Sequence, residues 1–176
     1  MRKGGVILYP TDTVWGIGCD ATDADAVKRV FEIKKRCDSK ALLLLVDSAD
    51  RLARYVGSVP AVAWDLIELS DKPLTIIYDG AKNLAPNLIA EDGSVGIRVT
   101  SEAFSNQLCY RFRKAIVSTS ANISGEPSPA SFHEISDEIK QAVDYIVQSR
   151  QNEKISSKSS SIIKLGKGGQ VKVIRE

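Results

Sequence analysis

The sequence predicts an α/β fold in which helices flank one open, twisted, mixed sheet. Short apolar runs of strand length alternate with amphipathic segments of helical period along most of the chain. The C-terminal part instead contains two apolar runs joined by a glycine-rich turn, which predicts an antiparallel close of the sheet. With 176 residues, 43% of them hydrophobic, the chain can bury a core of its own. We therefore expect a single domain over residues 1–176.

The predicted strands are apolar runs that end at polar residues, glycine or proline. The run Leu-Leu-Leu-Leu-Val at 42–46 is apolar at every position, which is typical of a central parallel strand covered on both faces. By the same criterion, strands are predicted at 5–9, 42–46, 74–78, 95–99, 115–117, 145–147, 160–165 and 171–174.

The predicted helices begin at residues that cap free backbone N–H groups. Thr22 to Asp25 resembles a capping box, and Val27, Val30 and Phe31 then recur at helical spacing. A similar Ser-x-x-Glu start occurs at 131–134. Helices are predicted from residue 22, at 49–56, 60–69 and 102–112, and from residue 131.

Composition and motifs argue against several classes of protein. The net charge of +2 is too small to identify a nucleic-acid binder. No apolar run approaches the roughly 18–20 residues that cross a bilayer, and no signal peptide is visible. Cys19, Cys37 and Cys109 are scattered, which favours reduced thiols in a cytoplasmic protein over a disulfide scaffold or a zinc site. The chain contains neither a GxxxxGK[ST] loop nor a GxGxxG loop, and His133 is its only histidine, so a catalytic triad is disfavoured.

Two polar segments that follow apolar runs are the strongest functional signal. They are YPTDTVWGIG, from Tyr9, and STSANISGEPSP, from Ser118. Loops that leave buried strands often form a ligand cleft. The basic run Lys34-Lys35-Arg36 lies between them, and its cations suit phosphate or carboxylate. Each segment alone also has a simpler explanation, as a capped turn or as cations that complement a helix dipole.

In this order the segments resemble the YrdC family, the threonylcarbamoyl-AMP synthases that begin threonylcarbamoyladenosine modification of tRNA. The resemblance extends from Gly5 to Arg175 and implies a YrdC-like fold with a concave basic cavity. It implies condensation of L-threonine, bicarbonate and ATP to threonylcarbamoyl-AMP and pyrophosphate, with Mg²⁺ accompanying the nucleotide. It also implies that tRNA threonylcarbamoyl transferase proteins act downstream. The helix that precedes the first strand in the family is mostly missing here.

Matching the family's motifs to this sequence assigns the site residues. The matches to catalytic positions are Lys34, Arg36, Ser120 and Asn122. Those to threonine-binding positions are Thr13, Arg98, Ser118 and Ser160. Those to nucleotide-binding positions are Arg36, Lys40, Ser94, Ser120, Ser128 and Arg175. No metal ligand is assigned.

Four positions depart from the family pattern. Leu45 stands where some relatives have a histidine that contacts threonine, and Lys40 replaces an asparagine. Cys37 replaces a common proline, and Trp15 replaces a tyrosine. The first change removes a threonine contact, whereas the second would keep a phosphate contact through charge.

Other interpretations remain open at this point. A double-stranded RNA-binding or ribosome-assembly factor could use the same basic cavity, with Lys28 and Arg29 adding to its charge. Carbamoyl transfer in hydrogenase maturation is a second alternative, although similar domains there lie within much longer chains. The serine-rich stretch 156–161 is either a flexible linker or a segment fixed by the strand that follows.

Overall fold

The computed structural model describes residues 1–36, 42–154, 159–166 and 168–176. Cys37, Lys40 and residues 156–158 of the serine-rich stretch therefore lie outside the described residues. The described helices are α1 (Ala24–Ile33), α2 (Leu52–Tyr55), α3 (Ala61–Leu69), α4 (Ala103–Phe112) and α5 (Asp137–Ala142). The described strands are β1 (Ile7–Tyr9), β2 (Gly16–Gly18), β3 (Leu43–Val46), β4 (Leu74–Tyr78), β5 (Val95–Val99), β6 (Ile116–Ser120), β7 (Tyr145–Ile146), β8 (Ser161–Leu165) and β9 (Val171–Arg175).

The strands form one mixed sheet, which confirms the predicted fold class. Their order across the sheet is β7-β1-β2-β6-β3-β5-β4-β8-β9. The pairs β1–β7, β3–β5 and β4–β8 are parallel, and the other neighbouring pairs are antiparallel. The strand β3 is central, as predicted, but it is parallel to only one of its two neighbours.

The core lies on both faces of β3. Leu44 and Leu45 point to opposite faces of the sheet, and both are fully buried. Val27, Val30 and Phe31 of α1 pack into the larger cluster with Leu44, while Leu45 joins a smaller cluster. The uninterrupted apolar run at 42–46 thus reflects burial on two sides.

Two predicted helix starts are wrong in detail. Asp23, not Thr22, caps α1 and accepts hydrogen bonds from the backbone N–H groups of Asp25 and Ala26. Thr22 instead donates to Asp20 Oδ1 at 2.7 Å. The Ser-x-x-Glu sequence at 131–134 forms only a short 3₁₀ turn, and α5 begins later, after its cap Ser136. Short polar side chains favour turns as well as helix caps, so the motif does not separate the two.

The strand β2 was not predicted from the sequence. It is three residues long, and two of them are glycines. A Cβ on Gly18 would lie only 2.7 Å from both the Tyr9 ring and the Val117 carbonyl oxygen. Glycine at this position therefore allows β1 and β6 to pack closely on β2. The sequence alone does not show this requirement, because it depends on which strands lie beside β2.

Both described cysteines are buried free thiols. Burial raises the pKa of Cys19 and of Cys109 to about 12, so neither is a reactive thiolate near neutral pH. Within residues 1–36, 42–154, 159–166 and 168–176 there is no metal-binding group of His, Cys, Asp or Glu side chains. No helix in these ranges is long and apolar enough to cross a membrane.

Candidate active site

A cleft of about 270 Å³ lies on one face of the sheet. Its lining residues alternate along the strands: Thr75 and Ile77 in β4, and Ser118 and Ser120 in β6. This period of two means that they share a face. Strand pairing places Ser118 beside Leu43 and Leu43 beside Gly96, so hydroxyls from distant segments lie in adjacent rows.

The structure brings most of the predicted site residues to this cleft. Those that line it are Thr13, Arg36, Ser94, Arg98, Ser118, Ser120, Ser160 and Arg175. The described lining contains three arginines and no carboxylate, so the cavity is basic. Such a surface suits a ligand that carries phosphate or carboxylate groups.

Arg98 is the most deeply buried cation of the cleft. Its residue is 2% exposed, and its Nη2 lies 2.9 Å from Asp12 Oδ1. Burial lowers the pKa of Arg98 and raises that of Asp12, while the attraction between the two groups opposes both shifts. Arg98 Nε is a buried donor without a hydrogen-bond partner among the residues that the structure describes. The guanidinium thus retains a donor for an acceptor that enters the cleft.

Lys34 does not line the cleft. Its residue is 2% exposed, and its Nζ donates to the carbonyl oxygens of Ser120, at 2.6 Å, and Asn122, at 2.7 Å. Burial, with a smaller contribution from the charge of Arg36, lowers the pKa of Lys34 to about 8. The ammonium group therefore ties the end of α1 to the second polar segment.

The end of α1 explains why Lys34 and Arg36 differ in position. Lys35 has a left-handed backbone with φ of 49°. Its N–H donates to Glu32 O, and the Arg36 N–H donates to Phe31 O, both at 3.0 Å. These two hydrogen bonds form a Schellman motif, which reverses the chain direction. As a result, Lys34 points beneath the second polar segment and Arg36 points into the cleft.

The hydroxyls predicted to bind threonine are held by neighbours that sequence reasoning missed. Thr13 Oγ1 and Thr11 Oγ1 share a hydrogen bond of 3.1 Å. Ser160 Oγ and Thr75 Oγ1 share one of 2.8 Å. Thr11 lies in the first polar segment, YPTDTVWGIG, but no role was assigned to it. Thr75 lies in an apolar run, and the strand register is needed to show which of its positions face the cleft.

Arg175 and Ser94 are also fixed by hydrogen bonds. Arg175 donates from Nε and Nη2 to the Ser160 carbonyl oxygen at 3.1 and 2.7 Å. Ser94 Oγ donates to Asp92 Oδ1 at 2.6 Å, and Lys164 Nζ lies 2.6 Å from Asp92 Oδ2. The hydrogen bond from Lys164, followed by those from Ser94, lowers the pKa of Asp92 to about 2.

Two other assigned residues lie away from the described cleft lining. The Asn122 side chain donates to the carbonyl oxygens of Ile123 and Glu126, so it stabilises its own loop. Ser128 is half-buried and does not line the cleft. The roles assigned to Asn122, Ser128 and Lys40, like those assigned to the residues that line the cleft, stay predictions.

The family model Sua5/YciO/YrdC, described as "Telomere recombination", matches residues 1–176. This chain belongs to that family. A curated relative from Pseudoalteromonas translucida, named threonylcarbamoyl-AMP synthase, is 34% identical over 84% of this chain and 80% of its own length. The family thus includes curated enzymes that resemble most of this chain.

Solved structures from the family share the whole fold. The crystal structure of P. abyssi Sua5 complexed with L-threonine has a TM-score of 0.85 at 28% identity and covers 93% of this chain. E. coli YciO also has a TM-score of 0.85 at 28% identity, covering 99% of this chain and 84% of its own. The present chain spans about half of the Sua5 chain, 48%.

Proposed function

We propose that this protein is an L-threonylcarbamoyl-AMP synthase, which condenses L-threonine, bicarbonate and ATP and releases pyrophosphate. The observation that carries the proposal is the basic cleft, in which Arg36, Arg98 and Arg175 lie beside a group of hydroxyls. The naming of curated relatives as threonylcarbamoyl-AMP synthases supports it. We place the activity in the cytoplasm.

Threonine would bind where Arg98 meets the hydroxyls of Thr13, Ser118 and Ser160. The free Nε donor of Arg98 suits a carboxylate, because a buried donor gains most from a charged acceptor. The serine and threonine hydroxyls can donate to or accept from the substrate's own hydroxyl. This arrangement would select a small amino acid that carries both groups.

ATP would bind with its phosphates near Arg36 and Arg175, with Ser94 and Ser120 as further contacts. Lys40 and Ser128 complete the predicted nucleotide contacts. If Mg²⁺ accompanies ATP, the described lining offers it hydroxyls but no carboxylate, so phosphate oxygens and water would supply most of its ligands. When bound, the ion would neutralise charge on the phosphates.

The reaction needs positioning and charge rather than a nucleophilic side chain. The threonine amine nitrogen bonds to the carbon of bicarbonate with loss of water, or to the carbon of CO₂ with loss of a proton. An oxygen of the resulting carbamate then bonds to the α-phosphorus. The bond between the α- and β-phosphates breaks, and pyrophosphate leaves. Because both reacting groups are anionic, fixed guanidinium groups lower the barrier to their approach.

Lys34 supports this chemistry from beneath the cleft in our proposal. Its two hydrogen bonds hold the carbonyl groups that flank Ala121, so they fix the direction of the Ser120 hydroxyl. After its release from the cleft, threonylcarbamoyl-AMP would pass to the tRNA threonylcarbamoyl transferase proteins.

RNA binding in the same cavity receives less support from the structure. The cations expected to attract RNA there are mostly neutralised or buried. Arg29 pairs with Asp144 and Lys35 with Glu138, each at 2.8 Å. Lys34 is committed to carbonyl oxygens.

The deciding experiment measures pyrophosphate release from ATP with both threonine and bicarbonate, and then with each omitted. We expect release only when both are present. Valine in place of threonine should react at least about tenfold more slowly, because a buried polar partner left unpaired costs about 1–3 kcal/mol. Equal release with valine, or release without either co-substrate, would contradict the proposal.

A further inference from the structure

Ser94 lies at one end of a row of cleft residues that runs along β5. Ser94, Gly96 and Arg98 occupy alternate positions in the chain, and all three line the cleft. At about 3.3 Å per residue, Ser94 and Arg98 are about 13 Å apart. The two residues therefore meet different parts of any ligand that fills the cleft.

Two of the cleft arginines lie at the end of this row away from Ser94. The β4–β5 register, continued by one residue, places Thr75 beside Arg98. The Thr75 hydroxyl is hydrogen-bonded to that of Ser160, and Arg175 donates to the Ser160 carbonyl oxygen at 2.7 Å. Arg98 and Arg175 suit carboxylate or phosphate groups, so the Ser94 end is left for a less charged part of the ligand.

The floor of the cleft near Ser94 is apolar. Ile77 is the register partner of Gly96, and Ile162 lies on the neighbouring strand β8. All three line the cleft, the two isoleucines are half-buried, and Gly96 has no side chain. An apolar floor with few polar groups beside it suits a ring system better than a phosphate.

The Ser94 hydroxyl has no proton left for a ligand. Ser94 Oγ lies 2.6 Å from Asp92 Oδ1, to which the Ser94 backbone N–H also donates at 3.0 Å. The hydrogen bond from Lys164, followed by those from Ser94, lowers the pKa of Asp92 to about 2, so Asp92 is a carboxylate near neutral pH and can only accept. Because a serine hydroxyl has one proton, Ser94 must donate it to Asp92. Towards the cleft, the Ser94 oxygen can therefore only accept.

Lys164 keeps Asp92 in this orientation. Its Nζ lies 2.6 Å from Asp92 Oδ2, the oxygen that Ser94 does not use, and 3.6 Å from Asp79 Oδ1. Lys164 belongs to β8, whereas Asp92 precedes β5, so their ion pair joins segments on the two sides of β4. Rotation of the Asp92 carboxylate would break both contacts. The Ser94 proton thus stays directed at Asp92.

We propose that Asp92 is a positioning residue for the nucleotide. Held by Lys164, it fixes the Ser94 hydroxyl as an acceptor, and this acceptor binds a hydrogen-bond donor on the nucleoside. The phosphate oxygens of ATP are acceptors, whereas its ribose hydroxyls and the exocyclic amine of adenine can donate. The inference rests on the proposed function, because it takes ATP as the nucleotide.

The test measures equilibrium binding of four triphosphates by isothermal titration calorimetry, without threonine or bicarbonate. They are ATP, two analogues that each lack one ribose hydroxyl, and purine riboside triphosphate, which lacks the amine. For the wild type, we expect one analogue to bind about tenfold more weakly than ATP, because it leaves the Ser94 oxygen without a partner. That analogue identifies the donor. Equal binding of all four would overturn the proposal.

Variants of Ser94 and Asp92 test the proposal through the ratio of these affinities. In Ser94→Ala the sensitive analogue should bind as tightly as ATP, because the acceptor is gone. In Asp92→Asn the amide can donate to the Ser94 oxygen and free the hydroxyl proton, so the ratio should fall from about tenfold to below about twofold. Asp92→Ala should give the same loss. A purely structural role would weaken all four ligands alike, and a wild-type ratio in Asp92→Asn or Ser94→Ala would overturn the proposal.

Asp79→Asn is the matched control. It removes the same charge beside Lys164, but Asp79 forms no hydrogen bond with Ser94 in the part of the chain that the structure describes. The variant should keep the wild-type ratio. An equal loss of discrimination would assign the effect to charge and would contradict a role for the direction of the Ser94 proton.

Pyrophosphate release separates this inference from the proposed function. The expected ratios without release that depends on threonine and bicarbonate would support the inference and contradict the synthase activity. Release that depends on both, together with equal binding of all four triphosphates, would do the reverse. Binding of none of the four would overturn both.

Discussion

A buried guanidinium such as Arg98 is costly unless a ligand or a carboxylate compensates its charge. Asp12 supplies one partner at 2.9 Å, and the unpaired Nε leaves room for a second. Asp12 was not singled out in the sequence, since an aspartate in a Thr-rich turn is also a common capping residue. Its role becomes clear only when the strand that carries Arg98 is placed beside it.

We expect Arg98→Lys to raise the KM for threonine at least about tenfold with little change in the KM for ATP. Lysine keeps the charge but cannot reproduce the fork of donors. Steady-state kinetics with each substrate varied in turn measures this split. Arg175→Gln is the matched variant and should instead raise the KM for ATP. An unchanged KM for threonine in Arg98→Lys would mean that the threonine carboxylate does not bind at Arg98.

We expect kcat/KM to fall as the pH rises above about 8, where Lys34 loses its proton. The neutral amine would hold the two carbonyl oxygens less tightly. Lys34→Arg should move this decline to higher pH, because arginine stays charged. Lys35→Arg, at an exposed neighbouring position, should keep the wild-type profile. Coinciding profiles for Lys34→Arg and the wild type would assign the decline to another group.

The same pKa affects stability in a defined direction. Lys34 has a pKa of about 8 in the folded chain, against about 10.4 when unfolded. The unfolded chain therefore holds this proton more tightly. Burial of the charge lowers the free energy of unfolding below pH 8, and this contribution disappears as the pH rises from about 8 to 10.4.

At the scale of elements, the Schellman motif places a lysine where glycine is preferred. Lys35 adopts φ of 49°, and its ion pair with Glu138 is exposed. We expect Lys35→Gly to raise the free energy of unfolding by about 0.5–1 kcal/mol, because relief of left-handed strain exceeds the loss of a surface ion pair. Lys28→Gly, within α1, should lower it by about 1 kcal/mol. Chemical denaturation measures both, and the same sign for both would contradict this account.

The close packing of β1 and β6 against Gly18 of β2 gives a second prediction at the scale of elements. Gly18→Ala should lower the free energy of unfolding by about 2–3 kcal/mol, because the new methyl group meets the Val117 carbonyl oxygen and the Tyr9 ring. Gly57→Ala is the control, since its Cβ would lie 3.5 Å from the nearest atom, an ordinary contact. Equal stabilities of the two variants would show that the sheet relaxes around residue 18.

Sequence reasoning located most strands and the antiparallel pairing of β8 with β9, but not the other pairings. The strands β4 and β5 have the predicted bounds, because proline, glycine or polar residues end both apolar runs. By contrast, β2 has too few side chains to give a pattern. The helix predicted at 49–56 divides into a 3₁₀ turn at Ala49–Arg51 followed by α2. Local patterns specify an element's type more firmly than its start.

At the scale of the molecule, the residues of the cleft were largely predictable, whereas the second pocket was not; it is lined by Arg2, Asp20, Arg51, Arg54, Phe112, Arg113 and Lys114. The cleft residues belong to short motifs that stay together in the sequence, such as Ser118 and Ser120. The cations of this second pocket come from segments that start at Arg2, Arg51 and Arg113, so no short stretch of the sequence contains the signal. Their convergence depends on the antiparallel pairing of β3 with β6.

Ligand binding should stabilise the whole molecule. ATP at about 100 times its dissociation constant adds about 2.7 kcal/mol to the free energy of unfolding. For a chain of this size, that corresponds to a rise in melting temperature of about 5–10 °C. Thermal denaturation followed by circular dichroism measures the rise, and addition of threonine should increase it further. No shift at saturating ATP would mean that the cleft does not bind the nucleotide.

The position of β9 at the sheet edge has a consequence for how the protein loses activity. All five of its residues are exposed, and one of them, Arg175, lines the cleft and holds the Ser160 carbonyl. Edge strands with little buried surface open in small excursions that leave the rest of a protein folded. Detachment of β9 would remove the Arg175 side chain from the cleft and loosen the start of β8, while the central strands stay intact. Inactivation by mild heat or denaturant should therefore be an early and reversible event, separate from global unfolding.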